Sequence, residues 1–209
     1  MMTKLVLVRH GQTEWNVDGK FQGQSNVALT EEGIRQAREL AEHFPVQKLD
    51  AIYASDLSRA RVTAEIVGDY FGLPVQVTRE LRELHFGDWE GLSYDEIVSG
   101  WPDALENFLQ HPDRLRIPHG ESFHQLQERA MLVIAKILAA HDDETVLVVA
   151  HGAILRTILT AVLHMPLEYL WSIRQFNTAV NILRYDDGNW TIELLNSTAH
   201  LSRHMREKI

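Results

Sequence analysis

Two histidine-glycine pairs, His10-Gly11 and His151-Gly152, each close a short apolar run, and Arg9 stands directly before the first. A neutral imidazole can attack phosphorus and hold the phosphoryl group covalently, with no need for a thiolate or a metal. Phosphoryl transfer asks the protein mainly for positioning and for positive charge around the equatorial oxygens. One buried strand leaving through a loop that contains a histidine would mean little. Two such strands running parallel side by side would gather two imidazoles and Arg9 around one crevice suited to an anion. Arg59 is a further candidate for that crevice, because arginine in the first turn of a helix is unfavourable to the helix dipole unless it faces an anion. Between Arg79 and Gly91 charge, aromatic rings and glycine crowd together, and Glu80, Glu83 and Glu90 are the candidate carboxylates for moving a proton.

The elements that must position these groups are legible in outline. Leu5 to Val8 is too short for a helix and lacks polar alternation, so it reads as a strand buried on both faces of a parallel sheet. Thr145 to Ala150 repeats the pattern, Leu49 to Ala54 and Val75 to Val77 are two further short strands, and reactive groups in such sheets collect at the strands' carboxyl ends. Thr30 caps a helix with the apolar stripe Ile34, Ala37, Leu40, Ala41 and Phe44, ended by Pro45. Leu57 to Phe71 is a second amphipathic helix, with Ser55-Asp56 as its N-cap and Gly72 as its stop. Ser93 to Gln110 reads as two short helices broken near Gly100-Trp101-Pro102, and Gly120-Glu121-Ser122 opens a long one. A helix from Ala153 to Leu163 would aim its N-terminus at the crevice. Ala179 to Tyr185 and Trp190 to Leu195 form a hairpin about Asp186-Asp187-Gly188-Asn189. Strand and helix therefore alternate, which predicts an α/β fold: a three-layer α/β/α sandwich with a mostly parallel central sheet and at least one antiparallel edge strand.

No linker-like or low-complexity stretch divides the 209 residues, so residues 1–209 read as one domain. The net charge of −9 argues against a nucleic-acid binder. There is no cysteine, which removes disulfides, thiolate metal sites and a cysteine nucleophile together. The N-terminal apolar run is too short for a signal peptide and no run is long enough for a membrane span, so the expected address is cytoplasmic, with no membrane partner. A homodimer is left open.

Motif by motif, the alternatives fall away. There is no Gly-x-x-x-x-Gly-Lys-Ser/Thr, no Gly-x-Gly-x-x-Gly after a strand, no Gly-x-Ser-x-Gly and no His-Glu-x-x-His. The motifs that are present are Leu-Val-Arg-His-Gly-Gln-Thr-Glu-Trp-Asn at 7–16, Phe-Gln-Gly at 21–23, Leu-Thr-Glu-Glu-Gly at 29–33 and Ser-Asp-Leu-Ser-Arg-Ala at 55–60. Glu83 with Gly-Asp-Trp-Glu-Gly at 87–91, Gly-Glu-Ser at 120–122 and Val-Val-Ala-His-Gly at 148–152 complete the set. In this order they resemble the histidine phosphatase superfamily, and within it the cofactor-dependent phosphoglycerate-mutase-like branch.

The resemblance implies His10 as the phosphorylated nucleophile, Arg9, Arg59 and His151 as the phosphate pocket, and Glu83 as proton donor. It further implies substrate contacts at Asn16 and Gln22, with Gly23 and Gly152 beside them, and neither cofactor nor metal. The expected activity is metal-independent hydrolysis of a small phosphorylated metabolite such as 3-phosphoglycerate, phosphoserine or α-ribazole phosphate. A phosphoglycerate mutase and a non-catalytic phospholigand-binding protein are the alternatives. Trp15, Phe21, Phe86 and Trp89 form the expected aromatic rim, and the tail from His200 to Arg206 either covers the site or is solvated.

Overall fold

A computed structural model describes residues 2–202. The chain runs β1 (Met2–Arg9), α1 (Glu14–Val17), α2 (Glu31–Glu42), β2 (Ala51–Ser55), α3 (Ser58–Phe71) and β3 (Val75–Thr78). It continues through α4 (Tyr94–Gly100), α5 (Pro102–Gln110), α6 (Phe123–Ala140), β4 (Thr145–Ala150), α7 (Gly152–Val162), β5 (Val180–Asp186) and β6 (Asn189–Ser197). The strands make one sheet in the order β3-β2-β4-β1-β5-β6. Strands β1 to β4 pair in parallel, whereas β5 and β6 are antiparallel additions on the far side of β1. The mostly parallel sheet with an antiparallel edge is the architecture that the alternation of elements predicts.

Each strand face feeds a separate core. Leu5, Leu7, Val146 and Val148 meet Phe123, Leu126, Ala130 and Ile134 of α6 and Ile154, Leu155 and Ile158 of α7. Val6, Val8, Leu147 and Val149 meet Leu40 and Ala41 of α2 and Ala60, Ala64 and Val67 of α3. Residues alternate between the two faces of a strand, so burial on both sides is why β1 and β4 read as unbroken apolar runs.

Several boundaries shift for local reasons. Helix α3 begins at Ser58 after Leu57, and no side chain caps it. Asp56 instead binds Arg82 through both carboxylate oxygens, at 2.7 and 2.6 Å, so the expected Ser55-Asp56 cap does not form. Helix α2 ends at Glu42, before Phe44 and Pro45. Phe44 nevertheless packs on the same core, edge-on to Phe71 at 5.3 Å. A 3-10 segment at Leu167–Ser172 has no counterpart in the apolar pattern.

His200 and Leu201 are buried. His200 Nε2 meets Thr178 Oγ1 at 3.1 Å, and the Ser202 N–H donates to Glu39, so the described part of the tail is fastened to the body. The expectation for Arg203 to Arg206 lies outside the described residues. Two glycines are compelled by close approach rather than by an unusual φ: a Cβ on Gly33 would lie 2.1 Å from the Gln12 carbonyl oxygen, and one on Gly11 would lie 2.5 Å from that of Gly33. The start of α2 and the loop after β1 are thereby in backbone contact.

Two measurements follow from these features. Gly33→Ala should cost about 1–3 kcal/mol through overpacking against backbone that cannot yield, read as a lower urea midpoint. Gly100→Ala, with open space around the new methyl, should not lower it. Burial lowers the His200 pKa to about 4. The unfolded chain therefore binds the proton first, and the contribution of His200 is complete above pH 6.5 and lost as pH falls toward 4, up to about 3 kcal/mol in all. His200→Gln should flatten that part of a stability-against-pH curve, and an unchanged slope between pH 6.5 and 5 would contradict the assignment.

Candidate active site

The site forms where β1 and β4 end level. Arg9 pairs with Ala150 in the parallel register, so the next residues, His10 and His151, emerge side by side with ring centroids 5.1 Å apart. His10 lines a cleft of about 200 Å³ to which Arg9, Arg59, Glu83 and Gly152 also contribute, together with Asn16, Gln22 and Gly23 of the loop after β1, while His151 is fully buried beside His10.

Hydrogen bonding fixes the tautomer of each histidine. The Gly11 carbonyl lies 2.7 Å from His10 Nδ1 and can only accept, so Nδ1 carries the proton and Nε2 keeps its lone pair. Arg59 Nε donates to His151 Nδ1 at 3.2 Å, so on this ring the proton is on Nε2, which has no partner. Burial first, then the Arg59 and Arg9 charges, hold the His10 pKa well below its usual value. His151 is lowered likewise, by burial, then Arg59, then His10 and Arg9. At neutral pH both rings are therefore neutral, His10 with a bare lone pair on Nε2 and His151 with an N–H there.

The cations are built in. Arg59 is almost fully buried, and its Nη1 and Nη2 donate to the Ser25 and Gly23 carbonyls at 2.7 Å each. Burial lowers its pKa to about 10, with Glu83 opposing, so it remains charged. Its position in the first turn of α3, awkward for the dipole, is explained by this inward reach. Arg9 Nη1 donates to the Gln175 carbonyl at 2.7 Å while its Nε has no partner. Unpartnered Arg9 Nε and His151 Nε2 are the donors a bound oxyanion would satisfy.

Glu83 lies across the N-terminus of α7. Its Oε1 accepts from the Leu84, Ala153 and Ile154 N–H groups at 2.9, 3.1 and 3.1 Å, whereas Oε2 meets only Ala153 N, at 3.0 Å. Oε2 is therefore the less committed of the two oxygens. The helix end expected to receive the ligand is held by this carboxylate instead. Of the other two candidates, Glu80 points outward to Lys136 at 2.6 Å. Glu90 is committed to Gln24 N at 2.8 Å and Ser25 Oγ at 2.7 Å, which ties down the loop that binds Arg59.

Asn16 borders the cleft, and its Oδ1 is taken by the Thr13 N–H and by Asn177 Nδ2, at 3.1 and 3.2 Å. Gln22 is buried with Oε1 unpartnered. The aromatic rim is partly corrected. Phe21 and Phe86 line the cleft, but Trp89 is fully buried against Phe21, Trp101 and Phe108. Trp15 packs over Gly91 rather than on the cleft wall. Alternating charge and rings between Arg79 and Gly91 signalled a wall without saying which rings face inward.

Among the lining residues that escape sequence reasoning are Lys20, Arg156 and Trp171. Arg156 stands four residues after Gly152, one helical turn on, and this spacing is the signal that would have found it. Trp171 comes from the unforeseen 3-10 segment. Asn177 was missed as well; its Nδ2 also donates to the His10 carbonyl at 3.0 Å.

The profile of the histidine phosphatase superfamily (branch 1) matches residues 5–198. The metal-independent phosphoserine phosphatase of Arabidopsis thaliana is 35% identical over 204 residues, which cover 96% of this chain and 84% of that one. Among solved structures, YhfR of Bacillus stearothermophilus superposes with a TM-score of 0.92 at 38% identity, covering 96% of this chain and all of its own. A mutant phosphoserine phosphatase from Entamoeba histolytica, in complex with phosphoserine, gives 0.86 at 31%, with 96% and 100% covered. The chain belongs to the histidine phosphatase superfamily, in its first branch.

Proposed function

We propose that this phosphatase hydrolyses small phosphomonoesters in two steps, with His10 as nucleophile and Glu83 as proton carrier. The observation that carries the reading is the complementary protonation of the two rings: His10, on the cleft wall, has a free lone pair on Nε2, and His151, buried beside it, has an unpartnered N–H on Nε2. In the first step His10 Nε2 attacks phosphorus, the P–O ester bond breaks, and Glu83 Oε2 gives its proton to the departing alkoxide. In the second, Glu83 takes a proton from water, the water oxygen attacks phosphorus, and the P–N bond breaks. Inorganic phosphate leaves, and neutral His10 and protonated Glu83 are restored.

Charge development falls on the three equatorial oxygens, which Arg9, Arg59 and His151 contact in this reading. Asn16 and Gln22 add donors from the loop, and Gly23 and Gly152 leave room for the phosphoryl group. Phosphoserine, found bound in the Entamoeba relative, is representative of the substrate class. Exposed Gly19 and half-exposed Lys20 leave the cleft in contact with solvent. Water can therefore reach the phosphohistidine, which favours hydrolysis over transfer back to a second sugar-acid oxygen. The expected setting is the cytoplasm, where such metabolites are held.

Rapid quenching with labelled phosphoserine should trap an acid-labile, base-stable phosphoryl group on His10. With 3-phosphoglycerate the product should be inorganic phosphate rather than the 2-phospho isomer. A fully active His10→Ala protein would exclude this nucleophile. Glu83→Gln should slow phosphorylation by alkyl esters about 10²- to 10⁴-fold, the usual worth of general acid catalysis. p-Nitrophenyl phosphate, whose leaving group needs no proton, should suffer far less in single turnovers. Equal loss on both would assign the carboxylate another task.

A further inference from the structure

Arg156 has no part in the phosphoryl chemistry above, yet it is held in the wall of the same cleft. Its Nε donates to the Ile173 carbonyl at 2.6 Å and its Nη1 to the Gly152 carbonyl at 3.0 Å. The guanidinium lies 5.2 Å from the centre of the Trp171 ring. Two carbonyls and one aromatic face fix the fork, while Nη2 has no partner among the described residues. Burial lowers its pKa to about 10, so it is charged at neutral pH.

The missing side chain of Gly152 locates Arg156 relative to the acid. A Cβ on Gly152 would lie 3.0 Å from Arg156 Nη1, 3.6 Å from Arg9 Nε and 3.7 Å from Glu83 Oε2. Arg156 thus adjoins the carboxylate that protonates the leaving oxygen, where the rest of the substrate must extend. Charge points the same way. Arg9, Arg59, Arg156 and Lys20 line the cleft against one carboxylate, Glu83. With Glu83 protonated as the substrate binds, a phosphomonoester dianion neutralises only two of these four positive charges, although the whole chain carries −9.

We infer that Arg156, oriented by Trp171 and the Ile173 carbonyl, is a specificity-determining residue that receives a carboxylate carried by the leaving group. This rests on the phosphatase reading and narrows it to phosphorylated hydroxy or amino acids over neutral or purely cationic alcohols. A rigid guanidinium with a free nitrogen suits a carboxylate better than the single ammonium of Lys20 does.

Phosphoserine and phosphoethanolamine differ only in the carboxylate, and comparing them tests the inference. The wild-type protein should favour phosphoserine in kcat/KM by about 10- to 100-fold, the range of a hydrogen bond to a charged group. Arg156→Gln should collapse that ratio toward one, and Arg156→Lys should recover part of it. A role confined to holding the Ile173 and Gly152 carbonyls would harm both substrates and leave the ratio intact. A wild-type ratio near one, a ratio unmoved by Arg156→Gln, or a collapse on Lys20→Gln instead would each overturn the assignment. Calorimetric binding of the two compounds to His10→Ala protein gives the same comparison without turnover. If neither compound is hydrolysed but phosphoserine still binds about tenfold tighter or more, the catalytic reading fails while Arg156 keeps its role.

Discussion

Six consecutive parallel pairs, from Lys4 opposite Thr145 to Arg9 opposite Ala150, bring the two histidines to one level. A slip of one residue would reverse the faces of every side chain in β1. Leu5 and Leu7 would then meet the core built for Val6 and Val8, and His10 would no longer stand opposite His151. The register is secured by burial on both faces and by β5, which pairs antiparallel with the other edge of β1 from Met2 to Val8. The geometry of the cleft is therefore an outcome of sheet packing, and the two rings hang from deeply buried strands.

Electrostatics follow from that depth. The Gly23 and Ser25 carbonyls and His151 Nδ1 take three of the five N–H donors of the deeply buried Arg59 guanidinium and fix its orientation. The same contacts set the loop after β1 and decide which nitrogen of His151 carries hydrogen. Glu90 completes the arrangement from the other side through Gln24 and Ser25. Once the arginines are in place, both imidazoles are held neutral, because a further positive charge in a desolvated site is costly. Burial, arginine placement and the neutrality of the two rings are one arrangement.

The elements and the chief site residues were readable because their signals are local or repeated. Apolar runs ending in His-Gly mark the strand ends, and Thr30 and Ser122 cap α2 and α6 through their own hydroxyls. What depends on distant chain was not readable. Asp56 looks like a helix cap in isolation but is drawn to Arg82 across the β2–β3 edge, and Trp89 sits between two glycines like a rim residue yet fills the core under α5. Glu80, Glu83 and Glu90 are equivalent in local sequence. Only the position of α7, seventy residues on, separates the carboxylate at its N-terminus from the other two. Arg156 was invisible because its partners, Ile173 and Trp171, belong to a segment without periodicity.

The place of β1 in the sheet also governs how the molecule can be made. Of the six strands β1 leaves the ribosome before the others, yet it is an interior one, and its neighbours begin at Thr145 and Val180. At about 5–20 residues per second, the N-terminal strand waits roughly 10–40 s for both partners to be synthesised. During that time its apolar face and unpaired backbone are an aggregation hazard. Helix α2 and the β2-α3-β3 unit can assemble meanwhile, since their contacts are short in sequence. His10 is thus made before both of the strands that position it, so a chain truncated before β5 carries His10 on a strand with one of its two neighbours missing.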